Sequence, residues 1–125
     1  MSILHNTKLW LIIIALGHTL LGAGGTFATY GSDELATIGM MAVLSVFLFY
    51  AALMLEGQAQ ARLATVLCGP MFVWMALCAA MGLEMFGDPA VPMPVGIMPL
   101  VLWGLPALSG VLGWNMDDDA PAAQA

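Results

Sequence analysis

Positive charge is almost absent from this chain. Lysine and arginine together number two among 125 residues, Lys8 and Arg62. Proteins that bind nucleic acid neutralise many backbone phosphates with such side chains, so nucleic acid is excluded as a partner. Charge of either sign is scarce, at 8% of residues, where a soluble domain carries roughly a quarter. So few ionic groups cannot coat a water-soluble globule. Of the eight acids, three form the run Asp117, Asp118 and Asp119. They predict a mobile acidic tail over 117–125.

Cysteine is nearly missing too. Cys68 and Cys78 share one apolar run, and ten helical residues separate them by ~15 Å, whereas disulfide Cα atoms lie within about 7 Å. Both read as small buried apolar residues. No Cys/His spacing resembles a zinc site, and His5 precedes the first apolar run, so no second histidine can pair with His18 around a haem. Thioethers suit Cu(I), but Met85, Met93 and Met98 form no tight repeat with histidines, and flexible core filling is the expected role. No Ser/His/acid arrangement and no phosphate-cradling glycine loop is present, because "GAGG" at 22–25 falls inside a predicted helix. The expectation is a protein with no metal, no cofactor and no enzymatic activity.

What the chain does have is apolar length. Hydrophobic residues make up 62% of it, and the mean hydropathy is +0.96. Residues 9–32, 35–55, 63–83 and 89–116 lack any Asp, Glu, Lys or Arg, and each can supply the ~20 helical residues that cross a hydrocarbon core. The prediction is an all-α membrane protein with one domain over 1–116 and helices at about 9–30, 35–56, 62–86 and 95–115. Three short links, 31–34, 56–62 and 87–94, return each helix beside its predecessor, giving a four-transmembrane-helix up-down antiparallel bundle. The apolar stretch of the first helix exceeds that of a signal peptide, so it is expected to be retained. Lys8 and Arg62 fall on one side of such a bundle, and Asp33, Glu34 and Asp88 on the other. Basic loops stay inside, so both termini are expected on the cytoplasmic side of a bacterial inner membrane.

Helical spacing then sorts the faces. Ala15, His18, Gly22, Gly25 and Thr29 form one stripe of the first helix, opposite Leu9, Ile13, Leu16, Leu20 and Phe27. Small residues allow close helix approach in lipid, so the first stripe is predicted to face inward. Ser45 and Ala52 mark the inner face of the second helix, Thr65, Gly69, Ala76 and Ala80 that of the third, and Gly96, Trp103, Ala107, Gly110 and Trp114 that of the fourth. The expected packing residues are Ala15, Gly22, Gly25, Gly69, Ala107 and Gly110.

His18 lies ten residues past Lys8, ~15 Å deep. Ser45 lies eleven residues before Glu56 and Trp103 eleven before Trp114, ~16–17 Å deep by the same rise. His18, Ser45 and Trp103 therefore form a candidate midplane site. Trp74 has a similar depth but points away from the small-residue stripe of its helix. An imidazole in hydrocarbon needs partners, and His18 is expected to be uncharged and to serve as interhelical glue, with a ligand-contact or proton-relay role next and a metal or haem ligand last.

The layout of four apolar stretches with short links resembles the DoxX-like group of small bacterial membrane proteins. The resemblance is one of topology and implies no residue roles. Two functions fit these features. The favoured one is association within the lipid with another membrane protein or a second copy, as accessory subunit, assembly factor or homo-oligomer. The alternative is a binder or transporter unit for a small hydrophobic ligand, such as a quinone or lipid, at the His18 site.

Overall fold

The computed structural model describes residues 3–117. It is mostly helical. The first helical run begins as α1 (Thr7–Gly17), where Asn6 caps the N-terminus by accepting a hydrogen bond from the Leu9 amide at 3.0 Å. It widens into a π-helical segment, His18–Gly24, and resumes as α2 (Gly25–Tyr30). Gly31 ends it with φ +62° and ψ −140°, a conformation closed to residues with a Cβ. A 3-10 turn, Gly31–Glu34, leads into α3 (Leu35–Met54). Then follow α4 (Gly57–Met81) and a two-stranded hairpin of β1 (Glu84–Met85) and β2 (Asp88–Pro89). The last helix is α5 (Ile97–Leu112).

Two helical stretches are long and apolar enough to cross a membrane, Thr7–Met54 with 48 residues and Gly57–Met81 with 25. At 16 residues, α5 is shorter than the span expected over 95–115, because Gly96 opens it and the chain leaves the helix at Gly113. The third helix also departs from its expected bounds of 62–86. It begins five residues earlier, because the Gln60 side chain donates to the carbonyls of Ala51 (2.9 Å), Ala52 (3.1 Å) and Leu55 (2.7 Å). Those are the carbonyls a helix end leaves without partners. The link expected at 56–62 is thus mostly helix. At its other end α4 stops at Gly82, which is left-handed, and residues 84–89 form the hairpin instead of helix. Phe86 (φ +60°) and Gly87 (φ +79°) make its two-residue turn.

Of the acidic tail expected at 117–125, residues 118–125 lie outside the described part. Asp117 accepts a hydrogen bond from the Gln58 amide at 3.4 Å, at the start of α4.

The core is lopsided. Leu11, Ile14, Ala15, Leu48, Ala51, Ala52, Ala64, Cys68, Trp103 and Ala107 form one buried cluster drawn from α1, α3, α4 and α5. The cluster extends toward the end where Thr7 meets Ser109, hydroxyl to hydroxyl at 2.8 Å. Gly110 explains the close approach of α4 and α5 there: a Cβ on it would stand 2.5 Å from the Ala61 carbonyl oxygen and 2.8 Å from the Thr65 amide. Arg62 meets Trp114 at the same end, donating from Nε to its carbonyl at 3.1 Å with the guanidinium 5.6 Å from the indole ring. Farther along, the Gly104 position abuts the Phe72 ring. Numbering rises on α4 as it falls on α5, so these two helices run in opposite directions.

Candidate functional site: a cavity beside His18

Toward the opposite end the helices do not close up. A cavity of about 460 Å³ lies among the π segment, α3, α4, α5 and the loop that follows the hairpin. Three features coincide there. The first is the π segment itself, which begins at His18. Such turns widen a helix and recur at functional sites. The second is His18, which lines the cavity and whose Nε2 is buried without a hydrogen-bond partner among the described residues. The third is Trp103, whose ring meets the imidazole in a T-shaped arrangement, centroids 5.2 Å apart and planes at 73°.

Gly22 makes this placement possible. A Cβ there would lie 3.1 Å from His18 Nδ1, so a larger residue would press the ring aside. Met41 of α3 lines the cavity with His18. On α3, Ser45 Oγ donates to the Met41 carbonyl at 3.0 Å.

The structure therefore brings His18 and Trp103 together but keeps Ser45 apart. Ser45 is buried and turned onto its own helix, four residues back, and it does not line the cavity. Serine in a helix commonly back-bonds in this way, which removes its hydroxyl from other uses. Trp74, set aside by helical spacing, does line the cavity. The reason is the orientation of α4. Its buried residues are Gln60, Ala61, Ala64, Cys68 and Cys78, a different face from the stripe of Thr65, Gly69, Ala76 and Ala80. The two cysteines ten residues apart, with Ala61 and Ala64 at helical spacing before them, were the signal for the true inner face.

Among the expected packing residues, Ala15 and Ala107 are buried, and Gly110 sits against α4. Gly22 serves His18. Gly25 and Gly69 have nothing within 4 Å of a would-be Cβ, so they mark no close helix contact. Smallness on a helix wheel does not distinguish a groove filled by a neighbour from one left open.

The cavity roof is the loop after the hairpin, with Ala90, Val91 and Val95 on the lining. The hairpin is held to α2 by Tyr30, which donates to Asp88 Oδ2 at 3.3 Å and whose ring lies 5.1 Å from that of Phe86, the planes tilted by 45°. Among the described residues, no charged side chain lines the cavity. Nor do three or more His, Cys, Asp or Glu gather as a metal site among the described residues. Several lining side chains are more than half exposed, namely Leu21, Trp74, Val95 and Met98, all of them apolar. The chain matches no protein-family model, curated protein or solved structure in comparison.

Proposed function

We propose that this chain is an integral membrane protein that binds a small, mostly apolar molecule in the cavity beside His18. The cavity carries the reading. Its volume of about 460 Å³ falls within the few hundred Å³ typical of small-molecule sites, and its lining is apolar with a few polar groups, as such sites are. The unpartnered His18 Nε2 supplies one of those groups.

Membrane residence is supported by what the helices leave uncovered. Only 22% of the most apolar window of Thr7–Met54 and 17% of that of Gly57–Met81 are buried within the chain. A core helix of a soluble protein would be mostly covered. Exposed Leu20, Phe27, Val43, Val66 and Leu108 need a non-aqueous surrounding. In this reading the helical runs 7–30, 35–54, 57–81 and 97–112 each cross the bilayer, up and down. The contacts that support it sit at opposite ends: Thr7 with Ser109 and Arg62 with Trp114 at one, Tyr30 with Asp88 at the other. Lys8 and Arg62 at the first of these ends support a cytoplasmic side for it, and with it both termini, in a bacterial inner membrane.

Two experiments test these statements. Single cysteines at positions 8 and 62 should be blocked only by reagents that reach the cytoplasm, and cysteines at 33 and 88 by impermeant reagents outside. Labelling of all four from one side would end the four-crossing topology. For the ligand, protein extracted in mild detergent should release a bound apolar molecule in native mass spectrometry. Ala90→Trp, which puts a ring into the cavity from its roof, and His18→Leu should fold normally and carry none. Equal retention in all three proteins would refute the site.

A second reading, association with another membrane protein or a second copy, has one observation in its favour. A shallow groove of about 540 Å³ runs along α3 between Ala36, Gly39, Val43 and Phe47, and nothing stands within 4 Å of a Cβ at Gly39. Gly39→Leu should then break up complexes seen on native gels, and unchanged migration would count against it.

A further inference from the structure

We infer that the molecule held beside His18 carries a flat conjugated ring, aromatic or quinonoid, on an apolar tail, an inference that rests on the ligand-binding reading above. The lining is specialised in a way that plain greasiness does not require. Of the chain's eleven methionines, five line this one cavity: Met41, Met71, Met75, Met85 and Met98. Two indoles, Trp74 and Trp103, and the His18 imidazole join them. A saturated chain would be held equally well by leucine and valine. Polarisable thioethers and ring faces gain most from a π partner. Sulfur sits favourably about 5 Å from a ring, often at its edge, and rings prefer offset or T-shaped contacts of the kind His18 and Trp103 already make with each other.

The polar atoms are few and of the right kind. An imidazole nitrogen without a partner can meet one carbonyl or hydroxyl on the ring, and among the described residues no charged side chain lines the cavity to hold a charged headgroup. The exposed apolar residues at the lining, Leu21, Val95 and Met98, give the tail a way out sideways, toward the proposed lipid, rather than through a polar end. Methionine flexibility lets the same cavity accept rings with different substituents.

The test uses the whole chain in lipid nanodiscs with two matched probes, decyl-1,4-benzoquinone and its saturated counterpart, decylcyclohexane-1,4-dione. They share tail and carbonyls and differ in the conjugated ring. Binding is read by native mass spectrometry and by thermal shift. The benzoquinone should bind one per chain and at least about tenfold more tightly than the dione. Replacing two thioethers without losing apolar volume, in Met71→Leu/Met75→Leu, should weaken the benzoquinone about fivefold and leave the dione unchanged. If that pair lowers the yield of folded protein, Met98→Leu at the exposed edge should shift the ratio in the same direction. Equal binding of the two probes overturns the ring inference while the ligand-binding reading stands. Binding of neither overturns both.

Discussion

The two halves of this molecule are built from the same few residue types and end up opposite in character. In the half that holds Thr7, Gln60 and Gly110, polar groups are matched and helices touch. Thr7 pairs with Ser109, Gln60 satisfies three carbonyls at the end of α3, and Gly110 lets α5 rest on the α4 backbone. In the half that holds His18, α1 loosens into a π segment, an imidazole nitrogen lacks a partner among the described residues, and about 460 Å³ stays open beneath the loop that follows the hairpin. In a proposed bilayer, apolar burial drives little, since lipid is as apolar as leucine. Tight packing and matched polar groups then set stability. One half is a clamp, and it leaves the other free to stay open.

The comparison breaks most sharply at Gly110. Gly110→Leu would force side-chain atoms into the Ala61 carbonyl and the Thr65 amide, backbone groups that cannot yield. A loss of about 3 kcal/mol or more is expected, seen as failure to recover monodisperse protein in detergent. The matched change in the open half, Gly25→Leu, meets nothing within 4 Å and should leave thermal unfolding nearly unchanged. Similar losses at both positions would show that the halves do not differ.

Next in size is Gln60→Leu, which strips the end of α3 of three hydrogen bonds. It should cost about 1–3 kcal/mol in denaturant unfolding, with no change in ligand retention. Thr7→Val removes one buried hydroxyl pair and should cost about 1 kcal/mol by the same measurement. The smallest effect is expected where space is open within a helix. Gly39→Ala in α3 has no neighbour to disturb and should raise stability by about 0.5–1 kcal/mol.

Legibility from sequence follows the same division. The helical character and the long apolar stretches could be read from 9–32 and 63–83, because a charge-free run of that length leaves few alternatives. His18 and Trp103 shared a depth on helical rise alone, and they do touch. Ser45 shared that depth as well, yet its hydroxyl is spent on Met41, a choice between local and interhelical bonding that spacing cannot express. Trp74 was missed because four small residues at regular spacing outweighed the quieter face of Ala61, Ala64, Cys68 and Cys78. The hairpin was missed for a different reason. Its turn places Phe86 at φ +60°, where few non-glycine residues go, so the residue type there gave no warning.

Composition and the order of residues along the chain were enough to determine a helical protein poor in charge, with apolar runs too long to be incidental and one histidine set deep inside the first of them. Those properties are local or additive, so no neighbour can alter them. Which face of α4 turned inward, whether a glycine marked a contact or an opening, and that a cavity formed at one end only were decided when the helices met. Each depends on the fit between two surfaces, and that fit is a property of the pair rather than of either strip of sequence.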